Sequence, residues 1–164
     1  MQTCMSQGCT LCRVYERGIF PYEDDHFYIR FDAHTVTAGH ALIVPCRHIE
    51  SFFQLSSEEW QQLQDTLTEA KDIIEQEDLR GRYRSIVNHP PTQHAKKFAK
   101  DSLSKKNWKQ APTGYNIGVN EGRDAGRTVD HAHIHLIPRY QDDATNPVGG
   151  VRNIIPGKGD YTAE

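Results

Sequence analysis

Three of the nine histidines fall at His131, His133 and His135, separated by Ala132 and Ile134. Near neutral pH an imidazole can accept or donate a proton, bind a metal or act as a nucleophile, so a triplet of them points to chemistry. Strict alternation is the period of a strand, whose successive side chains point to opposite faces. It places the three rings on one face, with neighbours roughly 6 to 7 Å apart. The plain alternative is a half-buried strand turning polar residues to water, but Ser, Thr or Lys would serve such a face equally well.

A second pattern is Cys9-Thr-Leu-Cys12, a spacing that suits two thiolates on one tetrahedral zinc or a redox pair. A redox pair belongs between a strand and a helix. This one precedes any strongly periodic segment, which favours zinc, with the missing ligands supplied from elsewhere. Cys4 and Cys46 do not repeat the spacing and read as ordinary free cysteines. Taken alone, His40 reads as a core histidine and His48 as a loop histidine.

These residues need elements to hold them. Residues 26–31, His-Phe-Tyr-Ile-Arg-Phe, are aromatic and β-branched and predict a strand ending at Asp32. Residues 37–45 have a turn-like start, a short apolar run and a proline stop, and predict a second strand forming a hairpin with the first. Residues 56–77 predict the longest helix: Ser56 and Glu59 have capping-box spacing, and Trp60, Leu63, Leu67, Ala70 and Ile74 form a core-facing stripe, with Gly81 beyond its end. Residues 82–87 are expected to form a short strand. Between 88 and 113, Lys96, Lys97, Lys100, Lys105, Lys106 and Lys109 are opposed by Asp101 alone, which reads as a solvated loop or frayed helix, or as a basic lid over an anion. Residues 115–120 predict a strand and 121–126 the turn returning it antiparallel into the histidine strand. Asn116, Gly118 and Asn120 then share a face, and Asn120 and Thr128 could donate to a phosphate. The tail, residues 140–164, is loop-like and locally basic at Arg152 and Lys158.

At 164 residues the chain fits one domain with room for a real core. A net charge of −3 with 25% charged residues gives no footprint of a nucleic-acid or membrane-surface binder. No apolar run reaches the length of a membrane span, the first residues lack signal-peptide character, and four cysteines without such a signal favour free thiols or metal. A soluble cytoplasmic protein is expected.

The stretch His131-Ala-His-Ile-His-Leu-Ile137 resembles the histidine-triad superfamily of nucleotide hydrolases and transferases. Supporting matches are Phe31-Asp32, Gly39-His-Ala-Leu-Ile-Val-Pro45, Tyr115-Asn-Ile-Gly-Val-Asn-Glu-Gly122 and Gly126-Arg-Thr-Val129, so the likeness spans roughly residues 9–139. Gly149-Gly-Val-Arg152 looks like the tail of bacterial members described as diadenosine polyphosphate hydrolases. The resemblance implies an α+β fold, a five-stranded antiparallel sheet with one long and one or more short helices, and a homodimer. It implies that His133 is the nucleophile at an α-phosphate, forming a nucleotidyl-histidine intermediate that water hydrolyses. His135 and His40 would support it, Asp32 would take ribose hydroxyls, and Asn120 and Thr128 would contact phosphate. It further implies structural zinc on Cys9, Cys12, His48 and His131, a closed four-ligand shell. Two features depart from the family pattern: Arg127 stands where glutamine is frequent, which puts a cation near the phosphates among the expected substrate-binding residues, and the segment 88–113 is long. The expected activity is hydrolysis of a dinucleoside polyphosphate or related adenylate. A phosphoramidate hydrolase or a nucleotidyl transferase or phosphorylase is the neighbouring alternative. A zinc-stabilised nucleotide-binding module without turnover is the non-enzymatic one, against which the complete triplet speaks.

Overall fold

The computed structural model describes residues 6, 8–104, 111–156 and 159. It has an α+β architecture. Helix α1 (Thr10–Arg17) is followed by strands β1 (Tyr22–Glu23), β2 (Phe27–Phe31) and β3 (Ala41–Pro45), helices α2 (Ser57–Gln76), α3 (Leu79–Asn88) and α4 (Gln93–Ser104), and strands β4 (Gly114–Gly118) and β5 (Ile134–Arg139). The five strands make one antiparallel sheet in the order β1-β2-β3-β5-β4. The expected hairpin is present, Phe27 facing Pro45 and Phe31 facing Ala41. Among the described residues no helix is long and apolar enough to cross a membrane.

Alternation along β2 and β3 divides the core between the two sheet faces. Phe27, Ile29, Phe31, Ala41 and Ile43 meet Leu63, Ala70 and Ile74 of α2. Tyr28, Leu42, Val44 and Cys46 meet Leu11 of α1 on the other face, where the Tyr28 hydroxyl donates to the Leu11 carbonyl at 2.9 Å. Helix α2 begins at the expected capping box: Ser56 Oγ accepts from the Glu59 N–H, and Glu59 accepts from the Ser56 N–H. Glu59 is also bound by Arg47, Nε to Oε1 at 2.6 Å, which fixes the segment after β3 against α2.

Two expectations are corrected and a third is narrowed to one of its alternatives. Trp60 starts the apolar stripe of α2 yet is 49% exposed, because it stands at the outer margin of the sheet beside Phe52. Residues 82–87 are helical. The α2 helix stops at a capping residue, Glu77, and Asp78 then opens α3 by accepting from the Gly81 N–H at 2.9 Å, so Gly81 lies inside a new helix. The lysine segment is ordered from Gln93 to Ser104 as α4, which packs against α3 through Tyr83 and Phe98; Lys105, Lys106 and Lys109 lie outside the described residues, as do Cys4 and Lys158. In the tail, Gly150–Ile154 forms a short 3-10 turn.

The α3–α4 hairpin is docked where it shapes the site. The Tyr83 hydroxyl accepts from the Gly39 N–H at 2.9 Å, the Arg82 guanidinium lies 4.2 Å from the Phe31 ring centre, and His94 meets His34. Gly39 has φ of +80°, and a Cβ there would lie 3.0 Å from Ile74 Cγ2. Only glycine meets both conditions, and the next residue is His40.

Candidate active site and metal cluster

The histidine triplet straddles the start of β5. Only His135 lies in the strand; His131 and His133 belong to the extended segment before it, so the expectation of three rings on one regular strand is corrected. Sheet pairing ends there because the chain is drawn toward the residues after β3, with the Ala132 N–H donating to the Ile49 carbonyl at 2.6 Å. The three rings consequently face different partners.

His131 is fully buried and turned toward the N-terminal helix. Its Nε2 lies 3.0 Å from the Pro45 carbonyl oxygen, which can only accept, so Nε2 carries the hydrogen and Nδ1 is bare. Burial, first among the causes, pushes its pKa down to about 4, which keeps the ring neutral. Nδ1 lies 3.5 Å from Cys9 Sγ and 3.6 Å from Cys12 Sγ, and His48 Nδ1 lies 3.4 Å from Cys12 Sγ. The four donor atoms fall within 4.8 Å of one another. Zinc bonds of about 2.3 Å to sulfur and about 2.05 Å to nitrogen at tetrahedral angles give S···N edges of about 3.6 Å. The donor set and its spacing thus fit a tetrahedral ion. Burial raises the Cys9 thiol, a cost that a bound cation would reverse by holding thiolates.

His133 is oriented by its neighbour two residues back. Its Nδ1 lies 2.7 Å from the His131 carbonyl oxygen, so Nδ1–H donates and Nε2 keeps its lone pair. The ring stands 5.0 Å, centre to centre, from that of His135.

His135 and His40 form a hydrogen-bonded pair. His40 Nε2 and His135 Nδ1 are 3.0 Å apart, and His40 Nδ1 is 3.6 Å from Asp32 Oδ2. At that distance the two make no hydrogen bond, and His40 Nδ1 has no hydrogen-bond partner among the described residues, but the charge of the Asp32 carboxylate favours a hydrogen on that nitrogen. His40 Nε2 then accepts from His135 Nδ1–H, leaving His135 Nε2 bare. That atom is buried and has no hydrogen-bond partner among the described residues. Asp32, His40 and His135 donors also cluster within 4.8 Å. His40 stands between the other two and faces each with a different nitrogen, which is the geometry of a relay rather than of a metal shell.

The pH response of this pair follows from burial. His135 is lowered to about 4 from an ordinary 6.5, chiefly by burial and then by His133 and His40, and burial likewise lowers His40. The unfolded chain therefore binds more protons between these values. The contribution of these two rings to stability is complete above about pH 6.5 and is lost as the pH drops toward about 4. Melting temperature measured from pH 8 to pH 4 is expected to decline less steeply in His135→Gln than in the unsubstituted protein; parallel curves would contradict this. Titration of the cysteine and histidine cluster is common to both proteins.

The remaining expected site residues are spread along the loop before β5. The expected strand over 115–120 ends at Gly118, which pairs with His135, so Asn120 lies two residues past its end; Asn120 and Thr128 are exposed and make no side-chain bond among the described residues. Arg127 is engaged internally: Nη1 donates to the Glu50 carbonyl at 2.7 Å, and Asp130 and Glu121 lie 3.4 and 3.9 Å away. Asn116 accepts from Arg139 Nη1 at 2.7 Å. Cys46 is a buried free thiol pushed up to about 12 by burial, outside the metal cluster.

Comparison with known proteins agrees with this arrangement. The model of the HIT domain matches residues 17–142. An uncharacterised HIT-like protein of Methanocaldococcus jannaschii is 30% identical over 151 residues, covering 89% of this chain and 91% of that protein. An adenylylsulfatase of Arabidopsis thaliana is 27% identical over 146 residues, covering 85% of this chain and 56% of its own length. A solved HIT family structure from Bacillus subtilis is 26% identical with a TM-score of 0.54, covering 83% of this chain and 76% of that one. With a family match across most of its length, a relative this similar along nearly the whole of both chains, and the histidine triplet in place, the chain belongs to the HIT domain family, a superfamily of nucleotide-binding hydrolases and transferases.

Proposed function

We propose that this protein is a nucleotide hydrolase that cleaves a dinucleoside polyphosphate or a related nucleotide adduct at the α-phosphate, through a nucleotidyl intermediate on His133. The observation that carries the reading is the 2.7 Å bond from His133 Nδ1–H to the His131 carbonyl, which leaves Nε2 bare beside the His135 ring. The Nε2 lone pair attacks the α-phosphorus. An N–P bond forms, the P–O bond to the leaving group breaks, and the leaving oxygen departs with the electron pair. Water then attacks phosphorus, giving a proton to the bare Nε2 of His135, and the N–P bond breaks to restore His133. Asp32 accepts from the ribose hydroxyls, while Asn120 and Thr128 donate to phosphate oxygens. Arg127, held by Glu121 and Asp130, orders the loop that carries Thr128.

Zinc is the ion best suited to Cys9, Cys12, His48 and His131, since two thiolates and two neutral imidazoles complete its shell and leave no open position. It would tie α1 to the segment that carries His133, a structural role.

A homodimer is supported by the outer edge of β4. This strand is last in the sheet order, so one row of its backbone groups has no strand partner among the described residues. Beside it lies an apolar groove of about 460 Å³ lined by Trp60, Leu63, Leu67, Tyr115, Ile117 and Leu136, in which Ile117 is 50% exposed. A second copy pairing along β4 would cover both. Ile117→Lys is expected to sediment as a monomer where the unsubstituted protein sediments as a dimer; equal sedimentation of the two would refute this interface.

The functional test is a substrate panel of diadenosine tetraphosphate, adenosine 5′-phosphoramidate and adenylyl sulfate, with and without inorganic phosphate. The last is included because of the likeness to an adenylylsulfatase. Release of a nucleoside monophosphate without phosphate is expected. A strict need for phosphate would make the protein a phosphorylase, and consumption of none would leave a binding module.

A further inference from the structure

Arg30 has no part in the chemistry described above, yet it stands on the same face of the sheet. Arg30 pairs with Leu42, and Leu42 with His135. Directly paired residues project to one side, so Arg30, Leu42 and His135 form a row across the sheet. Asp32, just past the end of β2, continues the pairing through its N–H bond to the His40 carbonyl at 2.9 Å and so shares that side, roughly 6 to 7 Å from Arg30. The Tyr28 end of the face is closed by Leu11 of α1.

Arg30 is half-buried, and no carboxylate forms an ion pair with it among the described residues. Its hydrogen bond runs from Nε to the Phe31 carbonyl at 3.4 Å, leaving both terminal nitrogens available. The charges around it are mixed: Arg82, whose charged form Arg30 disfavours to a small extent, and Asp32, which makes no ion pair with Arg30. A guanidinium held by one bond at Nε, with no ion pair among the described residues, still has its terminal donors to offer, and a ligand that supplies acceptors would take them.

We infer that Arg30 reads the nucleobase and selects guanine. The inference rests on the proposed placement of phosphate at His133 and ribose at Asp32. A carboxylate binding both ribose hydroxyls requires them to be unsubstituted, so the next group beyond the ribose is the base. The two terminal nitrogens of Arg30 can donate in parallel to O6 and N7 of guanine. Adenine offers N7 alone and opposes the second donor with its own amino group. Glutamine, with one donor and one acceptor, matches adenine instead.

The test is calorimetric binding of GMP and AMP to the metal-loaded protein, alongside hydrolysis of guanosine and adenosine 5′-phosphoramidates. The unsubstituted protein is expected to bind GMP about tenfold or more tightly than AMP. Arg30→Gln should retain its melting temperature and reverse the order. Equal affinities in the unsubstituted protein, or an unchanged ratio in Arg30→Gln, would overturn the inference even if both substrates are hydrolysed. Binding with the expected preference but without turnover would uphold base selection while excluding phosphoramidates as substrates of the proposed hydrolase. Failure to bind either nucleotide would overturn both.

Discussion

The His133→Ala protein is expected to lose at least about 10⁴-fold in kcat while retaining nucleotide affinity within a few-fold. The size of the effect follows from what the ring supplies. Without it there is no N–P bond to form, and the remaining route is direct attack by water on a phosphate that the site is not arranged to activate. Affinity should survive because the groups proposed to hold ribose and phosphate oxygens are Asp32, Asn120 and Thr128. Rapid mixing with a dinucleoside polyphosphate should show a burst of leaving group in the unsubstituted protein, with a nucleotide attached to His133 by mass spectrometry. Neither should appear in the variant. His135→Ala is expected to cost less, about 10²- to 10³-fold, because solvent can replace a proton acceptor more easily than a nucleophile. Near-normal turnover of His133→Ala would remove the nucleophile assignment and with it the covalent route.

Much of this arrangement is legible in the chain because its signals are local. The β2–β3 hairpin follows from two apolar runs and a turn, and the start of α2 from Ser56 and Glu59. The triplet and the CxxC pair announce themselves by spacing. What spacing could not show is which ring faces what. The hydrogen bond between His40 and His135 joins residues 95 apart in sequence, and the thiols of Cys9 and Cys12 approach a ring more than a hundred residues away. Periodicity also misled at the triplet itself, since alternation persists through His131 and His133 although the pairing that defines the strand begins at Ile134. Residues 82–87 failed for a related reason. Tyr83, Ile86 and Val87 have strand propensity, but the cap at Asp78, the ring contact with Phe98 and the bond to Gly39 hold a helix there. Trp60 fits the helical stripe by position, while its exposure depends on where the sheet ends, which no local pattern records.

The candidate metal cluster and the proposed nucleophile meet at one residue, and removing a candidate ligand should expose the coupling between them. His131 offers its side-chain Nδ1 to the cluster and its carbonyl oxygen to His133 Nδ1–H. Cys12→Ser is therefore expected to abolish the bound metal, one ion per chain by elemental analysis, and to act on both stability and rate. Cys12 is 1% exposed, so water cannot take over the vacated position easily. Loss of a structural ion coupled to folding should cost at least about 3 kcal/mol, which for a domain of this size lowers the melting temperature by roughly 6 to 12 °C. Well below that melting point, kcat should still fall about tenfold or more with KM little changed, because a loosened His131 carbonyl no longer holds the His133 lone pair toward phosphorus. Cys46→Ser is the control: Cys46 is also a buried thiol but lies outside the cluster, so its metal content should match the unsubstituted protein. A Cys12→Ser protein that keeps its ion would refute the ligand assignment. One that loses the ion yet turns over normally would show that the carbonyl of His131 is held by the fold alone, without help from the cluster.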